Sequence, residues 1–185
     1  MRALIVAAIG VVLVGCGRKD EPVGAPTPPP EAARPDGALS LTISLGQRSV
    51  RSGEAAALTI TYANSGDAPV TLYANGLAEA GWFAGESLLV VHKGESNRYT
   101  FHAADPLPHT PTIKPGEKWT RTIADLATAT RYGDVVLDGG TRNYLHSFRD
   151  AGEYWLQLHY EPAAPRVGDY YKGSLTSQSV TLSVE

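Results

Sequence analysis

The chain has 185 residues, 43% of them apolar, and sets 16 Lys and Arg against 19 Asp and Glu for a formal net charge of −3 at pH 7. A mildly acidic chain without a basic stripe lacks the electrostatic footprint that nucleic-acid binding requires, which excludes DNA and RNA as expected partners. The single cysteine excludes an intrachain disulfide and any multi-thiolate metal site, so the folded part must be held by its apolar core alone.

At the N-terminus, Arg2 precedes an apolar stretch over residues 3–14 that closes in small residues. This is the pattern of a secretory signal peptide over residues 1–15, too short for a transmembrane helix. Leu13-Val14-Gly15-Cys16 resembles the bacterial lipobox. That resemblance implies cleavage before Cys16 and acylation of its thiol, as with palmitate, and of its new amino group. Several acyl chains anchor stably to a membrane where one chain is marginal. Gly17 stands where an aspartate would signal inner-membrane retention, so the resemblance further implies the bacterial cell envelope and, if the cell is Gram-negative, its outer membrane. Residues 16–37 are polar and then rich in proline, with no apolar periodicity. Such a segment favours extended polyproline-II conformations and serves as a semi-rigid spacer of roughly 3 Å per residue.

From residue 38 to 185 the pattern changes to strands. Residues 39–45 alternate strictly between apolar and polar, which gives one buried and one wet face. Residues 56–62 do the same, with Leu58, Ile60 and Tyr62 inward. Asn64-Ser65-Gly66-Asp67 is a turn cluster, and residues 69–73 open a third strand with proline confined to its first position. Further strands are expected over 88–92 and 98–102, joined by a hairpin connection at 93–97, and over 119–123, 153–160 and 179–184. Residues 103–115 hold Pro106, Pro108, Pro111 and Pro115 and read as a loop. Residues 125–130 have the composition of a single helical turn, and residues 132–143 read as a loose hairpin or a loop. Many short strands between Gly, Pro and Asn clusters predict an all-β, antiparallel sandwich with at most one short helical turn.

Two resemblances bear on this fold. Asp150-Ala151-Gly152-Glu153-Tyr154-Trp155-Leu156 resembles the segment that opens strand F of immunoglobulin domains, Asp-x-Gly-x-Tyr-x-Cys. It implies an immunoglobulin-like sandwich in which Tyr154 is the tyrosine-corner residue, bonding back to the chain. Leu156 replaces the disulfide cysteine and is expected as plain core. Three Gly-Glu turns (Gly53-Glu54, Gly116-Glu117, Gly152-Glu153), with Asn64-Ser65-Gly66-Asp67 and Ala124-Asp125-Leu126 in the same order, are similar to the β-sandwich region that precedes the catalytic domain of deuterolysin-type zinc metallopeptidases. That resemblance implies fold and not protease activity, because the catalytic His-Glu-x-x-His motif is missing from the chain.

Neither a Gly-x-Ser-x-Gly elbow nor a phosphate-binding glycine loop is present. His146 and Ser147 are neighbours in sequence and point apart on a strand, which spoils them as a nucleophilic pair. No enzyme activity and no cofactor are therefore expected. The leading expectation is a lipid-anchored, non-enzymatic binding or accessory module facing an envelope or extracellular protein. Its candidate binding residues are Trp82, Phe83, Trp155, His159, Tyr170 and Tyr171, because aromatics that remain exposed favour protein or sugar surfaces. Trp155 is out of phase with Tyr154, Leu156 and Leu158, which places it on the face away from the core. One alternative is an inhibitor or propeptide-like partner of a secreted peptidase, by the order of turns just described. Another is a metal-binding protein using His102, Asp105 and His109, whose ligand types zinc accepts. Asp134, Asp138 and Asp150 beside glycines are ligand types for calcium, but the EF-hand loop is absent.

Overall fold

The computed structural model describes residues 39–73, 82–83, 85–101, 111–130, 134–137, 140–141, 148–162 and 169–185. Cys16, the spacer, His102, Asp105, His109, Asp138, His146 and Ser147 lie outside them.

Strand β1 (Leu39–Leu45) buries Leu39, Leu41 and Ile43 and exposes Thr42 and Ser44. It pairs antiparallel with β3 (Leu58–Asn64), Leu45 opposite Leu58, and β3 pairs on its other side with β8 (Lys118–Ile123). These form a three-stranded sheet. Its outer face is a carpet of hydroxyls, in which Thr59 meets Thr122 at 3.2 Å and Thr61 meets Thr120 at 3.0 Å. Such cross-strand hydroxyl pairs stabilise a wet sheet face.

After β1 the chain crosses to the other layer. Strand β2 (Ser49–Val50) runs parallel to the last strand, β13 (Val180–Val184). The larger sheet is built around β11 (Gly152–Tyr160), flanked by β13 on one side and β5 (Glu86–His92) on the other. β6 (Glu95–Thr100), β9 (Asp134–Leu137) and β10 (Gly140–Thr141) extend it beyond β5, and β12 (Leu175–Thr176) pairs with the end of β11. A small ladder of β4 (Val70–Thr71) and β7 (Thr112–Ile113) completes the set. The result is the expected all-β, immunoglobulin-like antiparallel sandwich.

The core lies between the layers. Leu41, Ile43, Leu58, Ile60 and Tyr62 from one sheet meet Leu88, Val90, Tyr99, Tyr154, Leu156, Leu158 and Leu182 from the other, all buried. Tyr154 makes the tyrosine corner, its hydroxyl donating to the Asp150 carbonyl at 2.9 Å. Leu156 is fully buried where the disulfide cysteine of antibody domains would stand.

The expected connection at 93–97 shrinks to two residues. Lys93 and Gly94 have φ of 50° and 81°, a pair of left-handed positions whose twist matches that of the flanking strands, so β6 starts at Glu95. Residues 103–115 were expected as loop throughout, yet Thr112 and Ile113 form β7. Residues 134–137 and 140–141 take the hairpin alternative, β9 pairing antiparallel with β10. The helical turn is α1 (Leu126–Ala129), capped by Asp125, whose carboxylate accepts from the Ala127 N–H at 3.1 Å.

Candidate functional site

Strand alternation puts Trp155, Gln157 and His159 of β11 on the outer face of the larger sheet. Register fills in their neighbours. Trp155 lies opposite Val91 of β5 and Thr181 of β13, and Gln157 lies opposite Leu89. Leu88-Leu89-Val90-Val91 is apolar at four successive positions, so β5 buries Leu88 and Val90 and presents Leu89 and Val91 outward. Leu89, Val91 and Trp155 are thus a partly exposed apolar group at the middle of the sheet, bordered by the exposed Arg98 of β6 opposite Leu89.

His159 closes one end of this face. Its Nδ1 is 2.9 Å from the Thr176 hydroxyl, while its buried Nε2 has no hydrogen-bond partner among the described residues. Burial pushes the imidazole below its ordinary value, the Arg98 charge pushes the same way, and Glu161 opposes them. These surroundings favour the neutral imidazole. Gln157 is spent internally, its amide donating to the Ser177 carbonyl at 3.0 Å.

The six candidate aromatic and imidazole residues do not share one surface. Trp82 and Phe83, binding candidates whose competing reading is a plug at one end of the sandwich, are both fully buried. The Trp82 ring stacks on Phe101 at 4.1 Å and its indole N–H donates to the Ala129 carbonyl at 3.2 Å. Phe83 stacks on Trp119 at 5.1 Å. Rings of this size bury large apolar area in the core, and the indole N–H finds its partner there too, which removes both residues from any docking face. Tyr170 and Tyr171 are half-buried near β4: Tyr170 meets Tyr73 edge-on at 5.1 Å, and the Tyr171 N–H donates to the Thr71 carbonyl at 2.8 Å. Only Trp155 and His159 share the outer face of the larger sheet.

Sequence reading missed a buried charge pair. Glu86 is fully buried at the start of β5 and Arg121 points inward from β8 to bond it. Tyr62 donates to Glu86 at 2.6 Å and the Phe83 N–H at 2.8 Å. The Arg121 guanidinium lies 4.4 Å from the Phe83 ring centre, with Trp82 and Trp119 about it. Burial first, and the Glu86 charge second, hold the Tyr62 hydroxyl well above its ordinary value. Three donors converge on the one carboxylate inside the core, so this group braces the two sheets together. The alternation Trp119-Thr120-Arg121-Thr122-Ile123 carried the signal, since it sets Arg121 on the inward side.

Among the described residues no three His, Cys, Asp or Glu converge on a point that could hold a metal, and no helix is long and apolar enough to cross a membrane. Asp150 is exposed and contributes its carbonyl to Tyr154.

No protein-family model matches the chain, and no curated protein matches it. Several solved structures are similar at low identity. The sporulation control protein Spo0M of Bacillus subtilis is 16% identical over 80% of this chain and 50% of its own, with a TM-score of 0.38. The CARDB domain of PF1109 from Pyrococcus furiosus, solved in complex with di-metal ions, is 12% identical over 87% of this chain and 95% of its own, with a TM-score of 0.37. The β-glucosidase EmGH1 of Erythrobacter marinus is 9% identical over 80% of this chain, with a TM-score of 0.40. This chain spans half the length of the sporulation protein and 16% of the glucosidase.

Proposed function

We propose that this chain is a lipid-anchored, non-enzymatic binding module of the bacterial cell envelope, whose larger sheet offers the Trp155 face to an envelope or extracellular protein. The observation that carries the reading is the partly exposed Trp155 on the outward side of the central strand, between Val91 and Thr181. A tryptophan beside outward aliphatics, with a polar border, has the makeup of the anchor at the centre of a protein interface. The lipobox-like Leu13-Val14-Gly15-Cys16 supports the anchor and the proline-rich spacer supports display away from the bilayer.

The test is crosslinking of the full-length protein in its native cells, followed by mass spectrometry of what it captures. A recurrent partner that disappears with Trp155→Ala, while that variant stays folded by circular dichroism, supports the reading. Unfolding of Trp155→Ala, or an unchanged capture profile, counts against the Trp155 face.

A further inference from the structure

A second surface lies at the margin of the sandwich where β1 and β13 are neighbours in different layers. Between them runs a groove of about 470 Å³ lined by Ile43, Ser44, Leu45, Arg48, Gln178, Ser179, Val180 and Thr181.

Main-chain polarity around the groove follows from the ladders. The Gly46 N–H donates to the Ala57 carbonyl of the β3 side. Backbone direction alternates along a strand, so Ser40, Thr42 and Ser44 also face β3, and Leu39, Leu41, Ile43 and Leu45 turn their N–H and C=O groups to the open edge. On β13, the Ser183 N–H donates to the Arg48 carbonyl. Thr181 has the same parity and faces the same way, but β2 reaches only Ser183 and Val184. Both layers therefore present unpaired ladder groups at this margin among the described residues.

Natural sheets blunt their edges with charges, prolines, inward-pointing charged residues or a covering strand. The far edge of this sheet has such a device, the inward Arg121 on β8. The end of β13 has another, β2. β1 has none among the described residues: its seven residues, Leu-Ser-Leu-Thr-Ile-Ser-Leu, include no charge and no proline. Arg48, exposed at the end of the groove, has no ion pair among the described residues.

We infer that the β1 edge is a docking site for an extended peptide of a partner protein, which adds a fourth strand to the sheet β1-β3-β8 and sets an acidic side chain against Arg48. Main-chain bonds to Leu41, Ile43 and Leu45 give the affinity, and alternate side chains of the incoming strand give specificity. Its inward residues are apolar, since they enter the groove beside Leu45 and Val180, which already pack against the core. Its outward residues lie beside Thr42 and Ser44 and are polar. The site adjoins the Trp155 face at Thr181, and the contacts it is argued from, the β1 edge and Arg48, do not include Trp155.

The experiment is selection of a displayed random octapeptide library against the full-length protein in detergent, with a lipoprotein of unrelated fold as control. Enriched peptides alternate apolar and polar residues and carry Asp or Glu near one end. Leu45→Pro removes an edge-facing N–H without breaking the ladder to β3 and weakens their binding about tenfold. Arg48→Glu, on an exposed side chain that the fold does not need, weakens acid-bearing peptides about fivefold. The inference is overturned if nothing is enriched above the control, if the enriched peptides lack the alternation or the acid, or if they bind Arg48→Glu undiminished. A concentration-dependent dimer abolished by Leu45→Pro also overturns it, because the edge would then belong to a second copy.

Discussion

Replacing Arg121 by methionine tests whether the buried pair is a brace. Methionine keeps most of the length and the apolar stem, so the packing against Phe83 and Trp82 is largely retained. The charge is not. Glu86, fully buried, keeps the Tyr62 hydroxyl and the Phe83 N–H but loses its cation. Breaking a buried ion pair from one side costs about 3–5 kcal/mol, because the remaining charge is stranded in low dielectric. That is about a third to a half of the stability of a domain with about 10 kcal/mol in hand. Adding Glu86→Gln removes the stranded charge while an amide oxygen still accepts from Tyr62, so the double variant should lose about 2 kcal/mol or less. Urea unfolding of the full-length protein in detergent, followed by tryptophan fluorescence, gives both numbers. A loss below about 1 kcal/mol for Arg121→Met, or a double variant weaker than the single, would refute the stranded-charge reasoning.

Other outcomes follow from the same geometry. Trp82→Ala should cost about 3–5 kcal/mol in the same unfolding assay, as a large core truncation does, whereas Trp155→Ala should cost far less; equal losses would contradict the assignment of one to the core and the other to the face. Gly85→Ala places a methyl 2.8 Å from the Glu161 carbonyl oxygen at a φ of 89°, and about 2 kcal/mol or more of lost stability is expected; an unchanged midpoint would show that the backbone there yields freely. Burial holds the Tyr62 and Tyr160 hydroxyls above their ordinary value of 10.0 in the folded chain. The unfolded chain then releases protons first. Their contribution is fully present below about pH 10 and falls by about 1.4 kcal/mol per pH unit per tyrosine as pH rises beyond it, and a flat unfolding midpoint across that range would contradict it. His159 is held below 6.5 when folded, so its contribution is present above that pH and lost as pH falls beneath it; His159→Gln should flatten the acid side of the stability profile.

What was legible in the sequence was whatever repeats with period two. β1 matches its expected span at both ends because apolar and polar residues alternate through all of it. The tyrosine corner was legible because Gly152, at a φ of 136°, and Tyr154 stand at fixed offsets from Asp150. Strands β2, β7 and β12 have two residues each, too short for any period to register. Trp82 and Phe83 stand outside any alternating stretch, so local pattern did not place them in the core. Their burial depends on Phe101, Trp119 and Ala129, contacts that local pattern does not contain. The Glu86–Arg121 pair spans 35 positions, and each member alone looks like a surface charge. The outward apolar pair Leu89 and Val91 was visible as a broken alternation at 88–91, and only the register with Trp155 and Gln157 gives it a place beside the tryptophan.

The most direct measurement on the central claim uses a photo-crosslinking amino acid placed at position 155 and, separately, at position 120 on the hydroxyl face of the smaller sheet, both in the full-length protein in its native cells. The account predicts a recurrent covalent partner from position 155 and none from position 120. The same products from both positions, or no product from 155 while a control lipoprotein captures its own partner, would contradict the claim that the Trp155 face is where this module binds.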